Sequence, residues 1–133
     1  MDIENFVEKV SEAVKGYDWI KRLEIHRRTE IRVWLRLFLN DDFIETFHNS
    51  ETAGTSYAYI EGGERVFGAN NMRIGWHLHP YGNVAKHEPS QPITIEDFLK
   101  KMEEELNKNL SLKLLRKVLS KPLRRKKALP KKY

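Results

Sequence analysis

The stretch Ile31-Arg32-Val33-Trp34-Leu35-Arg36-Leu37-Phe38-Leu39-Asn40-Asp41-Asp42-Phe43-Ile44-Glu45-Thr46-Phe47-His48-Asn49 decides the fold. Its first nine residues alternate. Ile31, Val33, Leu35, Leu37 and Leu39 take one side, and Arg32, Trp34, Arg36 and Phe38 take the other, which is the period of an extended strand. Asn40-Asp41-Asp42 supplies a turn, and Phe43 to Asn49 returns as the partner strand. A tight turn of this kind joins antiparallel neighbours, because a parallel pair needs a long crossover.

The same pattern extends outward on both sides. Trp19 to Arg28 alternates, with Leu23 and Ile25 on one side. Thr55 to Glu61 and Glu64 to Ala69 flank Gly62-Gly63 as a second hairpin, and a short strand over Ile74 to Leu78 ends at Pro80. Helices close both ends. Behind Asp2 as cap, Ile3, Phe6, Val7, Val10, Ala13 and Val14 recur at helical spacing, which predicts a helix over Ile3 to Lys15 with Gly16 beyond it. Thr94 caps a second stripe of Ile95, Phe98, Leu99, Met102 and Leu106. Leu110 to Leu119 continues helically until Pro122. The expected class is α+β: a curved antiparallel β-meander of about five strands with an N-terminal helix and C-terminal helices covering one face.

Composition narrows the chemistry. With 133 residues the chain forms one ordinary core. It has no cysteine, so disulfides, thiolate zinc sites and cysteine nucleophiles are excluded. No apolar run approaches the ~20 residues of a membrane span, and the acidic opening (Asp2, Glu4) is unlike a signal peptide; a cytoplasmic protein is expected. A single glutamine among many Lys, Arg and Glu gives a thermophile-like balance. Charge is divided unevenly. All 19 acidic residues lie in 1–107, whereas 108–133 holds 11 basic residues and no acidic one. The expected organisation is therefore a domain over 1–107 and a basic amphipathic helix and tail over 108–133. Such asymmetry points to a polyanionic or acidic partner.

Three of the five histidines (His77, His79 and His87) fall within eleven residues, beside Trp76, Tyr81 and Glu88. On a strand, His77 and His79 share a face, and His87 reaches back across a loop. Neutral imidazoles so placed are candidates for proton transfer, phosphate contact or metal ligation. The ordinary alternative is a set of surface or core histidines. A second constellation is the strand face of Arg32, Trp34, Arg36 and Phe38, with Glu45, Phe47, Tyr57, Tyr59, Arg65 and Phe67 expected beside it. Arginines interleaved with rings suit single-stranded nucleic acid, since rings stack on bases and guanidinium groups take phosphates. A covering helix or a second copy of the chain would use such a face equally well. The third constellation is the tail, with Lys117, Arg124, Arg125, Lys126 and Lys127 as candidate phosphate contacts.

Two resemblances bear on function. Gly75-Trp76-His77-Leu78-His79-Pro80 resembles the His-X-His-Pro run of the JAMM zinc deubiquitinases, but Ser90 stands where that family completes its zinc site with aspartate. The glycine and glutamate spacings of the cupin motif do not fit either. A broader resemblance covers about residues 20–106. Asn40-Asp41-Asp42-Phe43-Ile44-Glu45, then Thr55-Ser56-Tyr57-Ala58-Tyr59, Arg65-Val66-Phe67-Gly68-Ala69-Asn70-Asn71, His77 and His79 with Pro80, His87, and Glu88-Pro89 through Thr94 to Leu99 follow the motif order of the TumE toxin-like family. Where that family shows Asp-Asn before adjacent histidines, this chain has Ala69-Asn70 and a pair split by Leu78. The resemblance implies the toxin of a prokaryotic toxin–antitoxin pair, acting on RNA and neutralised by a DNA-binding protein antitoxin.

The leading expectation is thus a toxin-like protein acting on RNA as a ribonuclease. Its catalytic candidates are His77, His79 and His87, with Arg32, Trp34 and Arg36 holding the strand. The reaction it implies uses one imidazole to deprotonate a 2′-hydroxyl, another to protonate the leaving oxygen, and an arginine to stabilise the phosphorane. No cofactor and no metal-ligand set is assigned. The alternatives are a non-enzymatic nucleic-acid-binding module and a His-X-His metal hydrolase. The expected partners are RNA or single-stranded nucleic acid, a protein antitoxin and a second copy of the chain.

Overall fold

Strand β2 (Arg32–Phe38) buries Val33, Leu35 and Leu37 completely and leaves Trp34, Arg36 and Phe38 half-buried on its other side. That alternation is passed from strand to strand by the register. The computed structural model describes the backbone of residues 1–120 and the side chains of residues 1–109. Around β2 lie β1 (Arg22–Arg28), β3 (Phe43–Asn49), β4 (Thr55–Glu61) and β5 (Glu64–Asn70), followed by two short strands, β6 (His77–His79) and β7 (Glu88–Pro89). Their spatial order is their sequence order, and each neighbouring pair is antiparallel, so the sheet is a seven-stranded meander.

The last two strands are three and two residues long; β6 answers to the strand expected over Ile74 to Leu78, and β7 has no counterpart in the sequence reading. Segments this short carry no readable periodicity. The strand expected over Ile74 to Leu78 begins only at His77, because Arg73 (φ 70°) and Gly75 (φ 83°) turn the chain through left-handed conformations just before it.

Helix α1 (Ile3–Val14) starts where Asp2 Oδ1 accepts from the Asn5 N–H at 2.8 Å, and it buries Ile3, Phe6 and Val10. Helix α2 (Ile95–Ser120) starts at a reciprocal cap. The Asp97 N–H donates to Thr94 Oγ1 and the Thr94 N–H donates to Asp97 Oδ2, both at 3.1 Å. The two helical pieces read from the sequence are one helix, continuous across 107/108. Pro122 lies outside the described residues.

The register fixes a correction. Tyr57 pairs with Thr46 and Tyr59 with Ile44, so these tyrosines lie on the aliphatic side with Leu35 and Leu37, together with Phe67. All three rings are buried rather than beside Trp34. Phe98 stacks on Tyr57 and Phe67 at 5.2 and 5.3 Å, and the Tyr57 hydroxyl donates to the Ile93 carbonyl at 3.0 Å. Each such ring contributes about 1.5–3 kcal/mol by burial. Burial, reinforced by Glu96 and Asp97 for Tyr57 and by Glu61 and Asp42 for Tyr59, raises both phenol pKa values, so both remain neutral donors.

The chain divides into two units, Met1–Leu99 and Lys100–Tyr133. The first holds the sheet, α1 and the start of α2. The described part of the second is helical, with the Asn109 side chain donating to the Glu105 carbonyl at 2.8 Å. Among the described residues, no helix is long and apolar enough to cross a membrane.

Candidate active site

The sheet face opposite the core carries two cross-strand rows. One runs Trp34, Phe47, Ser56, Asn70, His77; the other runs Arg36, Glu45, Ala58, Gly68, His79. Directly paired residues share a face, so the histidine pair and the aromatic–arginine patch lie on the same side of one sheet. The residues between them are small. Gly68 has to be: a Cβ there would sit 2.8 Å from the Tyr57 carbonyl oxygen.

His87 joins the pair through the β6–β7 hairpin. Leu78 pairs with Glu88 and His77 with Pro89. The Gly82 N–H donates to the Val66 carbonyl at 3.0 Å, which ties the connecting loop to β5. The three rings meet with centroids 4.6–5.0 Å apart, and one nitrogen from each lies within 4.8 Å of the others. His77 and His79 are buried, and His87 is exposed.

Hydrogen bonds fix the proton positions on the buried pair. Carbonyls only accept, so His77 Nδ1–H donates to the Gly75 carbonyl at 2.9 Å and His79 Nδ1–H donates to the Val84 carbonyl at 2.6 Å. In its neutral form each ring therefore carries its lone pair on Nε2. Asn70 Oδ1 accepts from the Met72 N–H, which turns Asn70 Nδ2 toward His79 Nε2 at 3.3 Å. Burial lowers the His79 pKa below its usual 6.5; Arg65, His77 and His87 lower it further, and the bond to Val84 opposes them. In this tautomer neither buried ring donates a proton from Nε2.

The cluster opens into a cleft of about 460 Å³ that is also lined by Arg65, Asn70, Met72, Arg73 and Ile74. Both arginines are exposed at its rim. Arg73 holds φ at 70°, a conformation that costs a side-chain-bearing residue on the order of 1 kcal/mol and is common beside functional sites. Ile74 is 69% exposed at the same rim. Cationic and apolar groups thus surround three imidazoles.

On the same face, Trp34 and Phe47 lie 5.0 Å apart, with the Arg27 guanidinium 5.0 Å from the Trp34 ring centre. Arg36 lies over Phe43 at 4.4 Å and pairs with Glu45 at 3.0 Å, so its charge is partly answered within the chain. Arg32 stands at the end of this face, opposite Asn49. The structure brings His77, His79 and His87 together and sets Trp34 and Arg36 on their face. The side chains of Lys117, Arg124, Arg125, Lys126 and Lys127 lie outside the described ones. Glu88 pairs with Lys86 at 3.3 Å, and the Ser90 hydroxyl donates to the Gln91 carbonyl.

Arg73 escaped sequence reading because it sits in a turn with no periodic signal, and Asn70 because its role depends on which way its amide points. The sequence offered only Asn70-Asn71 before the histidines. Comparison with protein-family models, curated proteins and solved structures found no match to this chain.

Proposed function

We propose that this protein binds single-stranded RNA along the open sheet face and cleaves it in the histidine cleft, as a cytoplasmic toxin of the TumE-like type held in check by a protein antitoxin. The observation that carries this reading is the shared face. A strand crossing the sheet from Trp34 toward His77 traverses four strand spacings, about 19 Å. It meets stacking rings first and cations beside imidazoles last. Rings such as Trp34 and Phe47 hold bases without sequence preference, while Arg65 and Arg73 neutralise a phosphate at the rim. His77 and His79 line the cleft where that phosphate is held.

The test is cleavage of an end-labelled single-stranded RNA by wild type, His77→Ala, His79→Ala and Arg65→Ala. Cleavage by wild type that collapses in the histidine variants and weakens in Arg65→Ala supports the reading. RNA that is bound but left intact by wild type would make the protein a non-enzymatic binding module. Cleavage that is equal in all four proteins would come from a contaminant and would reject the site.

A further inference from the structure

The three imidazoles have the geometry of a ligand set, with one nitrogen of each within 4.8 Å of the others. Histidines that ligate metals characteristically donate their other N–H to a backbone carbonyl or carboxylate, which fixes the ring and makes the free nitrogen more basic. Both buried rings already have that support, from Gly75 and Val84. The third ring sits on a hairpin return and is exposed, so it is the one free to close on an ion.

We propose that His77, His79 and His87 bind one zinc-class divalent ion, with a fourth coordination position open to a phosphate drawn in by Arg65 and Arg73. Three imidazoles without a carboxylate suit Zn²⁺, Co²⁺, Ni²⁺ or Cu²⁺, whereas Ca²⁺ and Mg²⁺ require oxygen ligands. Three protein ligands plus an open position is the arrangement of catalytic rather than structural zinc. Tetrahedral bonds of about 2.0–2.1 Å place ligand nitrogens about 3.3 Å apart. The present nitrogens lie within 4.8 Å, so the site closes by a movement of about 1.5 Å or less. Asn70 Nδ2, now 3.3 Å from His79 Nε2, must give way when an ion takes that lone pair. The neighbouring arginines disfavour a bare cation and favour one that carries an anionic ligand, which couples ion binding to phosphate binding.

Binding of the ion stands on this geometry alone; its part in RNA cleavage rests on the functional reading above. The experiment is titration of the full, untagged, chelator-stripped chain with Co²⁺, followed by visible absorption, with Zn²⁺ as competitor. We expect one Co²⁺ per chain, an intense tetrahedral-type spectrum that Zn²⁺ abolishes, and a spectral change on adding inorganic phosphate that is lost in Arg65→Ala. His77→Ala and His79→Ala should weaken binding at least ~100-fold, and His26→Ala should not. Because the buried rings also support the fold, His87→Ala is the second variant. One equivalent of Zn²⁺ should raise the melting temperature of wild type and leave that of His87→Ala unchanged. Absence of stoichiometric Co²⁺ binding, or binding indifferent to His77→Ala and His87→Ala, overturns the site. RNA left uncleaved by the ion-loaded protein overturns the functional reading and leaves the ion site standing. Full cleavage by stripped protein in chelator overturns the ion's part in the reaction.

Discussion

His48 and the pair His77/His79 are equally buried, at 4%, 4% and 3% exposure, and chemically unlike. His48 lies under α1, stacked on Phe6 at 4.8 Å, with one nitrogen 2.8 Å from Thr55 Oγ1 and the other 2.8 Å from the Met1 carbonyl. Both its nitrogens are used, and it ties a helix to the sheet. His77 and His79 each commit one nitrogen to a carbonyl and turn the other toward a cleft. Burial therefore does not mark a functional histidine. What differs is the use of the second nitrogen, which the Met1 carbonyl takes in His48 and which lies beside Asn70 Nδ2 at the cleft in His79.

The comparison breaks most visibly in activity. Under the proposed function, His77→Ala or His79→Ala should cut RNA cleavage by about 10²–10⁴-fold, whereas His48→Ala should leave it unchanged when assayed well below its melting temperature. Equal losses from all three would erase the distinction. Stability should separate His48 from the exposed member of the cluster. His48→Ala removes a stacked ring, a buried hydrogen bond to Thr55 and a part-buried one to the Met1 carbonyl, a loss of about 2–4 kcal/mol in urea unfolding; His87→Ala, at an exposed position, should cost under about 0.5 kcal/mol.

A smaller effect sharpens the link between the cleft and the rest of its face. Trp34→Ala should weaken single-stranded RNA binding by ~1–3 kcal/mol for the base it stacks, measured by fluorescence anisotropy. An unchanged affinity would confine the ligand to the cleft.

The pH response separates the two sides further. Because the folded pKa of His79 lies below 6.5, protonation opposes folding. Its contribution is intact above about pH 6.5 and declines as pH falls from there toward the lowered value. The melting temperature of ion-free wild type should therefore drop over that window more steeply than that of His79→Gln; parallel curves would contradict the assignment.

The smallest effect lies in the core. Thr46 Oγ1 is buried without a hydrogen-bond partner among the described residues, so Thr46→Val should stabilise the protein by about 1 kcal/mol in urea unfolding. A loss of stability would mean that the hydroxyl has a partner, such as a buried water.

Much of the fold was legible because its signals are local. Val33, Leu35 and Leu37 repeat every second residue, Asp2 and Thr94 precede helical stripes, and Asn40-Asp41-Asp42 turns the chain between two strands. The site was legible in part. His77-Leu78-His79 places two rings on one face by period alone. The position of His87 depends on a two-residue strand, and the tautomers depend on carbonyls of Gly75 and Val84 that only the folded chain brings within reach. The placement of Tyr57, Tyr59 and Phe67 was misread because a one-residue change in register moves a whole strand to the other face.

Residue order by itself thus determined an antiparallel α+β chain with a buried aliphatic side and an aromatic–arginine side, because side-chain periodicity is a property of each strand alone. Tertiary structure decided that the histidine pair lies on the aromatic side, that His87 completes it and that Arg65 and Arg73 border it. Those outcomes depend on register, on a hairpin return and on hydrogen bonds between distant residues, none of which any single stretch of sequence contains.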